Sequence, residues 1–332
     1  MSAKPSAPTA MHWADIGEST AVAGIWFLYG VHRFLGRWPL RICLYPVVAY
    51  YWASRPLARQ ASLQYLRRMQ AAHGVFGGVP GSRHSLRHFM SFAETILEKI
   101  LAASGRYRFQ QLRFEGRERM DAMLAQGLGG ILLTAHIGCL ELCQALADRA
   151  PGLKLNILVH TRHAERFNRV LQRLNPASPV QLLQVTEVDA ATAVMLGEKV
   201  ARGEFVAIAA DRVPVRHSKT ASAVFLGHEA RFPVGGFVLA SLFKCPLLMI
   251  GCLRQGAGHA VVFECLAEQV ALPRRGRAER LDELAAQFAQ SMEKLLLRSP
   301  YDWFNFYPFW DQPGAAASGT TAVPHLPEVT TP

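Results

Sequence analysis

Cysteine, charged residues and long apolar runs are all scarce in this sequence. Its 332 residues include six cysteines and no C-x-x-C pair, too few for a disulfide scaffold or a common zinc or redox motif. Charged residues make up 18% and hydrophobic residues 50%, a balance that excludes disordered, coiled-coil and collagen-like chains. No apolar segment directly follows Lys4, so the N-terminus does not resemble a secretory signal. We therefore expect a globular chain in a reducing compartment, with about two domains or one large α/β unit with an appendage.

Lysine is also rare, and arginine dominates the basic residues. The chain has 36 Lys and Arg, of which seven are Lys, against 25 Asp and Glu, so its net charge is +11. Residues 1–70 hold eight of the basic and only two of the acidic residues, which accounts for more than half of that charge. No recognition helix, RNP-like aromatic strand or zinc knuckle accompanies the arginines, so we expect no nucleic acid partner. A membrane surface or an acidic protein is the expected partner.

Residues 13–82 combine aromatic side chains with two uncharged stretches. The stretches, Ser19–Val31 and Ile42–Ser54, have 13 residues each. As helices they would reach only ~20 Å against a hydrocarbon core of ~30 Å, so neither spans a bilayer alone. Tyrosine and tryptophan favour the lipid–water interface, and arginines flank them here. The aromatic residues are Trp26, Tyr29, Trp38, Tyr45, Tyr50, Tyr51 and Trp52, and the arginines are Arg33, Arg37, Arg41, Arg55 and Arg59. The pattern predicts an interfacial helical hairpin; the alternative is a helical pair buried on the main domain.

From residue 83 onward, strand-like and helical segments alternate. The predicted strands are Tyr107–Phe114, Gly129–Thr134, Leu155–Thr161, Val180–Val185, Glu204–Ala210, Pro246–Leu253 and His259–Leu266. The predicted helices are Ser85–Ala103, Arg117–Ala125, Glu141–Ala147, Ala164–Leu174, Asp189–Ala201, Pro233–Phe243 and Arg277–Leu297. This order predicts an α/β fold with a mainly parallel sheet flanked by helices, whose ligands bind beyond the carboxyl ends of the strands. We expect a flexible N-terminus (1–12), the membrane-interface hairpin (13–82), an α/β domain (83–312) and a disordered tail (313–332).

One strand end carries a candidate catalytic pair. His136 leaves the predicted strand Gly129–Thr134, and Glu141 follows five positions later. The two side chains can meet if His136 lies in the turn and Glu141 in the first turn of the next helix, and Gly138 permits the sharp turn between them. A neutral imidazole oriented by a carboxylate can take a proton from an alcohol, and helix N-terminal amides nearby can stabilise an oxyanion. The alternative is a histidine bonded to a turn carbonyl and an ordinary first-turn acid.

The TAHIGCLE block around His136 resembles the H-x4-D/E block of the lysophospholipid acyltransferase superfamily, in the branch that includes the late lipid A acyltransferases. Val224–Ile250 is similar to that branch's segment in which a Phe-x-Gly turn precedes a small-residue helix and a strand opening with Pro. Ala210–Arg212 resembles the Asp-containing block before it, and LVHTRHAERFNRVLQRL the block where Arg and Asn approach the substrate. SPYDWFNFYPFW and HWADIGE resemble a subgroup of predicted acyltransferases of aryl-polyene and other polyketide-like lipid pathways. The resemblance covers about residues 13–311, and Glu141 stands where the commoner motif has Asp.

The resemblance implies an O-acyltransferase that moves a fatty acyl group from a thioester to a hydroxyl of a lipid or glycolipid-like acceptor. The donor would be acyl carrier protein (ACP) or acyl coenzyme A as co-substrate, with no cofactor. His136 would be the general base, and Glu141 would stabilise the imidazolium. The absence of G-x-S-x-G, P-loop, G-x-G-x-x-G and H-E-x-x-H motifs agrees with chemistry that needs no serine nucleophile. Such an enzyme would lie on the cytoplasmic face of the inner membrane as a peripheral protein.

Five further residues are candidates for substrate binding: Asp211, Arg212, Arg231, Asn168 and Arg162. Asp211 and Arg212 follow a strand, and arginine suits bidentate phosphate recognition. The alternative for this pair is a surface ion pair or a helix cap, and Arg231 has the same two interpretations. Asn168 and Arg162 are candidates through the family block alone.

Two other functions remain open from the sequence. The first is a non-catalytic lipid- or acyl-binding protein of the same fold, and the second is a basic scaffold that binds an acidic partner. A metal site is also conceivable from His136, Cys139 and Cys143. Cysteines at i and i+4 of a helix are more often core residues, so we expect no metal.

Overall fold

A computed structural model of the chain describes residues 30–31, 34, 37–103, 107, 112–139, 142, 152–159, 180–184, 188–213, 219–256 and 258–311. The helices in these ranges are α1 (Arg37–Ser54), α2 (Pro56–His73), α3 (Ser82–Ala103), α4 (Glu118–Ala125), α5 (Ala190–Ala201), α6 (Gly235–Phe243) and α7 (Arg277–Arg298). The strands are β1 (Leu112–Glu115), β2 (Gly130–Gly138), β3 (Leu155–Val159), β4 (Val180–Gln184), β5 (Phe205–Ala209), β6 (Thr220–Phe225), β7 (His228–Pro233), β8 (Leu247–Gln255) and β9 (Gly258–Ala267).

Seven strands form one sheet in the order β1-β9-β8-β2-β5-β3-β4. Strands β4, β3, β5, β2 and β8 are parallel to one another, which confirms the predicted mainly parallel α/β fold. Strand β9 runs antiparallel to β8, and β1 is parallel to β9. Only residues 256–257 separate β8 from β9, too few for the crossover that a parallel neighbour requires.

All seven predicted strands are present, and the sheet is accompanied by a hairpin that the sequence did not predict. Strands β6 and β7 pair antiparallel in a separate two-stranded sheet. Leu226 and Gly227 connect them with φ angles of 51° and 76°, the positive values that favour a tight hairpin turn. The predicted Phe-x-Gly turn is therefore this hairpin turn, and it precedes α6 and then β8, as the resemblance implies.

Alternate side chains of β2 enter two different cores. Ile131, Leu133 and Ile137 face the larger core, which also contains the helix α7 residue Phe288. Leu132 faces the smaller core on the opposite side of the sheet. Because both faces are covered, β2 is a continuous apolar run, the sequence pattern of a central parallel strand.

Helix α1 contains Ile42–Ser54, the second uncharged stretch of the predicted hairpin, whereas α2 follows that stretch and Ser19–Val31 lies almost wholly outside the described residues. Arg55 lies between α1 and α2, and Pro56, whose fixed φ suits a first helical position, begins α2. The buried face of α1 packs against α3 through one of three cores; its fully buried members are Leu40, Leu44, Val48, Phe89, Met90 and Leu97. In the described ranges no helix is long and apolar enough to cross a bilayer.

Several predicted segments lie outside the described residues. They are residues 1–12, all of Ser19–Val31 except its last two residues, the helix Glu141–Ala147 except Leu142, the helix Ala164–Leu174, and the tail 313–332.

Candidate active site

The candidate site lies where the pairing between the neighbouring parallel strands β2 and β5 ends. Their pairing stops at Thr134 opposite Ala209, and the Ala210 N–H donates to the Thr134 carbonyl at 2.9 Å. His136 lies two residues beyond this last pair, within β2, so the prediction that it lies in the turn after the strand is wrong. Asp211 lies two residues beyond the same pair, just after the end of β5. The sheet register therefore brings these two residues side by side, although they are 75 positions apart in the sequence.

His136 is held by Asp211 through both its ring and its backbone. Nδ1 of the ring lies 2.8 Å from Asp211 Oδ1, and the His136 backbone N–H donates to Asp211 Oδ2 at 2.9 Å. The Asp211 side chain is fully buried, whereas 35% of the His136 side chain is exposed. Because Asp211 occupies Nδ1, Nε2 is the ring nitrogen available for proton exchange with a ligand.

The segment that follows α7 surrounds the buried side of Asp211. The Trp303 indole N–H donates to Asp211 Oδ2 at 3.0 Å, and the Tyr307 hydroxyl donates to the Asp211 backbone carbonyl at 3.2 Å. Arg212 donates from Nη2 to the Phe304 carbonyl at 3.2 Å. The Asp211 carboxylate thus receives donors from two parts of His136 and from Trp303.

The electrostatic setting keeps Asp211 charged and His136 neutral. Burial raises the pKa of Asp211, but the His136 ring, its hydrogen bonds and the Arg212 charge outweigh burial and lower that pKa to about 2. Loss of water around the ring lowers the pKa of His136 below 6.5, and the charges of Arg212 and Lys99 lower it further, against the opposing effect of Asp211. A neutral imidazole beside a carboxylate is the protonation state that a general base needs near neutral pH.

Gly138 shapes the end of β2 beyond His136. The register of β2 with β8 shifts between Thr134 and Gly138, and Gly138 has a φ of 63°. A Cβ at this position would lie 1.6 Å from the Cys252 carbonyl oxygen, so no other residue fits without a backbone shift. Gly138 is thus needed for a close backbone approach inside β2, and the predicted turn between His136 and Gly138 is replaced by an irregular continuation of the strand.

The backbone amides closest to His136 in the sequence are bonded to protein acceptors. The Gly138 N–H donates to the Asp302 carbonyl at 2.8 Å, and the Cys139 N–H donates to the Cys252 carbonyl at 3.2 Å. The His136 N–H donates to Asp211. These three amides are therefore not free to stabilise an oxyanion, since protein acceptors already hold them. The donors that the sequence predicts, the N-terminal amides of the helix Glu141–Ala147, lie outside the described residues except Leu142, whose N–H donates to the Cys139 carbonyl at 3.1 Å, and their role stays a prediction.

The remaining predicted site residues are only partly within the described chain. Glu141, Arg162 and Asn168 lie outside it. Arg231 is on β7, with Nη2 3.7 Å from Glu229 Oε1. This contact is the surface ion pair that the alternative interpretation of Arg231 predicts. The substrate-binding role of Arg231 stays a prediction.

The contact between Asp211 and His136 is not predicted from the sequence. Asp211 is buried beside His136, with which it forms the His136–Asp211 dyad, so the alternative of a surface ion pair for this residue is wrong. Its position directly after a strand was the available signal, but only the strand order shows that this strand is the neighbour of β2. The hydrogen bond from Trp303 to Asp211 was not predicted either, because the segment SPYDWFNFYPFW has no strand or helix pattern from which its position in the fold could be inferred.

A comparison with curated proteins found no match. A family described as bacterial lipid A biosynthesis acyltransferase matches residues 87–312. The matched region includes most of α3, the whole seven-stranded sheet, His136, Asp211 and Trp303. With well over half of the sequence matched, the chain belongs to the bacterial lipid A biosynthesis acyltransferase family.

Proposed function

We propose that this protein transfers a fatty acyl group from a thioester donor to a hydroxyl of a lipid or glycolipid-like acceptor, with His136 as general base. Family membership supports acyl transfer to a lipid. The observation that carries the proposed mechanism is the 2.8 Å contact between His136 Nδ1 and the buried Asp211 carboxylate, on a ring that is 35% exposed.

The proposed reaction begins with the acceptor hydroxyl against His136 Nε2. Nε2 takes the hydroxyl proton as the oxygen attacks the thioester carbonyl carbon, and a C–O bond forms. Asp211 keeps Nδ1 protonated and balances the imidazolium charge. The C–S bond of the tetrahedral intermediate then breaks, and the leaving thiolate takes the proton from Nε2. The proton, the acyl group and the charge all balance, and the enzyme returns to its starting state.

Glu141 keeps a place in this proposal as the carboxylate of the H-x4-E block. The H-x4-E spacing puts it five positions after the base. Because Asp211 already occupies Nδ1, we assign the orienting role to Asp211 and a supporting role to Glu141.

The donor we propose is acyl-ACP rather than acyl coenzyme A. Between Glu18 and Glu94 the sequence has nine arginines and no acidic residue. Such a charge distribution attracts an acidic carrier protein over long range, whereas it offers coenzyme A only its phosphate contacts.

The exposed face of α1 supports a peripheral position on the cytoplasmic face of the inner membrane. Opposite its buried face, Ile42, Tyr45 and Tyr50 are 69%, 52% and 68% exposed. Helix α1 has no acidic residue, and arginines occur at both of its ends. Exposed apolar and aromatic side chains beside basic residues are the composition of a helix that lies in the interface of an anionic bilayer.

The direct test of the function is product formation by the purified protein. Acyl-ACP or acyl coenzyme A with a labelled acyl chain is incubated with a lipid extract, and new acyl esters are identified by mass spectrometry. We expect esters with the wild type and none above background with His136→Ala. A folded His136→Ala protein that forms esters at the wild-type rate would contradict the mechanism. Equal donor binding by both proteins, with no esters from either, would favour the non-catalytic acyl-binding alternative.

A further inference from the structure

A row of buried hydrogen bonds joins the N-terminal helices to Trp303. The Trp52 indole N–H donates to Ser85 Oγ at 3.1 Å, and Ser85 donates to Ser62 Oγ at 2.9 Å. Ser62 Oγ lies 3.0 Å from His88 Nδ1, and His88 Nε2 lies 2.8 Å from the Trp303 carbonyl. The row therefore runs through α1, α3 and α2 to the segment that follows α7.

The direction of every bond in this row is determined by its two ends. An indole nitrogen can only donate and a carbonyl oxygen can only accept. His88 Nε2 must therefore carry the hydrogen that it gives to Trp303, and Nδ1 of the neutral ring must accept from Ser62. Burial lowers the pKa of His88 to about 4, so the ring is neutral at the pH of the cytoplasm. Each donor and acceptor has one role, which is a requirement for a rigid buried network.

Trp303 connects this hydrogen-bond network to the Asp211 carboxylate. Its backbone carbonyl is held by His88, and its indole N–H is donated to Asp211 Oδ2. The Trp303 side chain is fully buried among aromatic rings, with edge-on contacts to Tyr65 at 5.0 Å and Phe309 at 5.1 Å between ring centroids. The side chain therefore has one position, and that position aims its N–H at the carboxylate.

We infer that Trp303 is a positioning residue that orients Asp211 for His136, and that His88 holds Trp303 in place for this purpose. The catalytic consequence rests on the proposed acyl transfer. The effect on His136 does not, because it is measurable without substrate.

The first test compares Trp303→Phe with Trp310→Phe. Trp303→Phe keeps a ring but removes the donor to Asp211. Trp310 packs in the same cluster, 5.9 Å from Trp303, and its buried indole nitrogen has no hydrogen-bond partner among the described residues. Trp310→Phe is thus a matched loss of an indole nitrogen that leaves Asp211 untouched.

The measured quantity is the pKa of His136, by NMR titration of protein with ¹³C-labelled histidine, the signal being assigned with His136→Asn. The charged groups that influence this ring are Asp211, Arg212 and Lys99. Loss of the indole N–H removes partial positive charge beside the dyad, so in Trp303→Phe we expect the pKa of His136 to rise by roughly half a unit. With substrate, we expect kcat/KM to fall about tenfold, with its acid limb moved to higher pH. Trp310→Phe should match the wild type in both.

A folded Trp303→Phe protein whose His136 titrates as in the wild type overturns the inference, and so does an equal shift in Trp310→Phe. A shifted titration in a protein without acyltransferase activity contradicts the proposed function and leaves the positioning contact standing. If Trp303→Phe does not fold, His88 provides a second comparison. His88→Leu should lower kcat with KM unchanged, and His88→Gln, whose amide N–H reaches the same carbonyl, should restore it; equal kcat values overturn the inference.

Discussion

At the scale of single residues, the Asp211 carboxylate and the His136 ring should act as one unit. In Asp211→Asn the amide N–H faces Nδ1 and favours the wrong tautomer, so we expect kcat/KM to fall by about 10²–10⁴, as in His136→Ala. The double variant should be hardly slower than His136→Ala alone, because a carboxylate that orients a ring contributes little once the ring is gone. Initial rates of the purified variants give this comparison. Multiplicative losses in the double variant would show that the two residues act independently.

The same measurement on Glu141→Gln compares the two carboxylates. We expect its loss to be smaller than that of Asp211→Asn, since Asp211 occupies Nδ1 of the ring. A larger loss in Glu141→Gln would assign the orienting role to Glu141.

His88 predicts a specific loss of stability in acid. Burial lowers its pKa to about 4, against 6.5 in the unfolded chain. Above pH 6.5 neither state is protonated, so His88 adds no pH dependence there. Below it, the unfolded chain takes up a proton that the folded protein refuses, and the free energy of unfolding falls by about 1.4 kcal/mol per pH unit, or about 3 kcal/mol at pH 4. Urea unfolding across this range measures the fall, and His88→Gln should show a shallower one. Parallel curves for the two proteins would contradict the assignment.

At the scale of elements, the exposed face of α1 predicts where the protein contacts a bilayer. Ile42→Asp puts a charge where an apolar side chain is 69% exposed, and Val194→Asp does the same on α5, where Val194 is 64% exposed. We expect Ile42→Asp to weaken binding to anionic vesicles, measured by sedimentation, at least tenfold. The new carboxylate would be repelled by the anionic headgroups and would lose water in the apolar layer. Val194→Asp should bind as the wild type does. Equal binding by the three proteins would exclude α1 as the contact.

The elements also show how far the sequence could predict this fold. Strands such as β2, a buried apolar run between glycines, were predictable because a central parallel strand has that composition. The β6–β7 hairpin was missed because its strands contain small and charged residues rather than an apolar run. His136 was predictable as a residue near the carboxyl end of β2, although the strand continues to Gly138 where the sequence predicts a turn. The partnership of His136 with Asp211 was not, since it depends on which strands are neighbours in the sheet.

At the scale of the whole molecule, the net charge of +11 predicts salt-dependent use of an acidic donor. Electrostatic steering raises the rate of encounter with a carrier protein and fades as the Debye length shortens. We expect kcat/KM for acyl-ACP to fall several-fold between low and physiological salt, with a smaller change for acyl coenzyme A. A salt series with both donors measures this. Equal kcat/KM values for the two donors throughout the series would remove the argument for ACP.

The segment that holds Trp303 is also the last described part of the chain to be synthesised. Trp303 follows Asp211 by 92 positions and His88 by 215. At a translation rate of about 5–20 residues per second, the synthesis of α1 to α3 is complete roughly ten to forty seconds before Trp303 is made. A nascent chain therefore presents the exposed face of α1 before its Asp211 carboxylate is oriented. If α1 is the proposed membrane contact, that contact can form before the His136–Asp211 pair is complete, and a fragment that stops before Ser299 contains both members of the pair without Trp303.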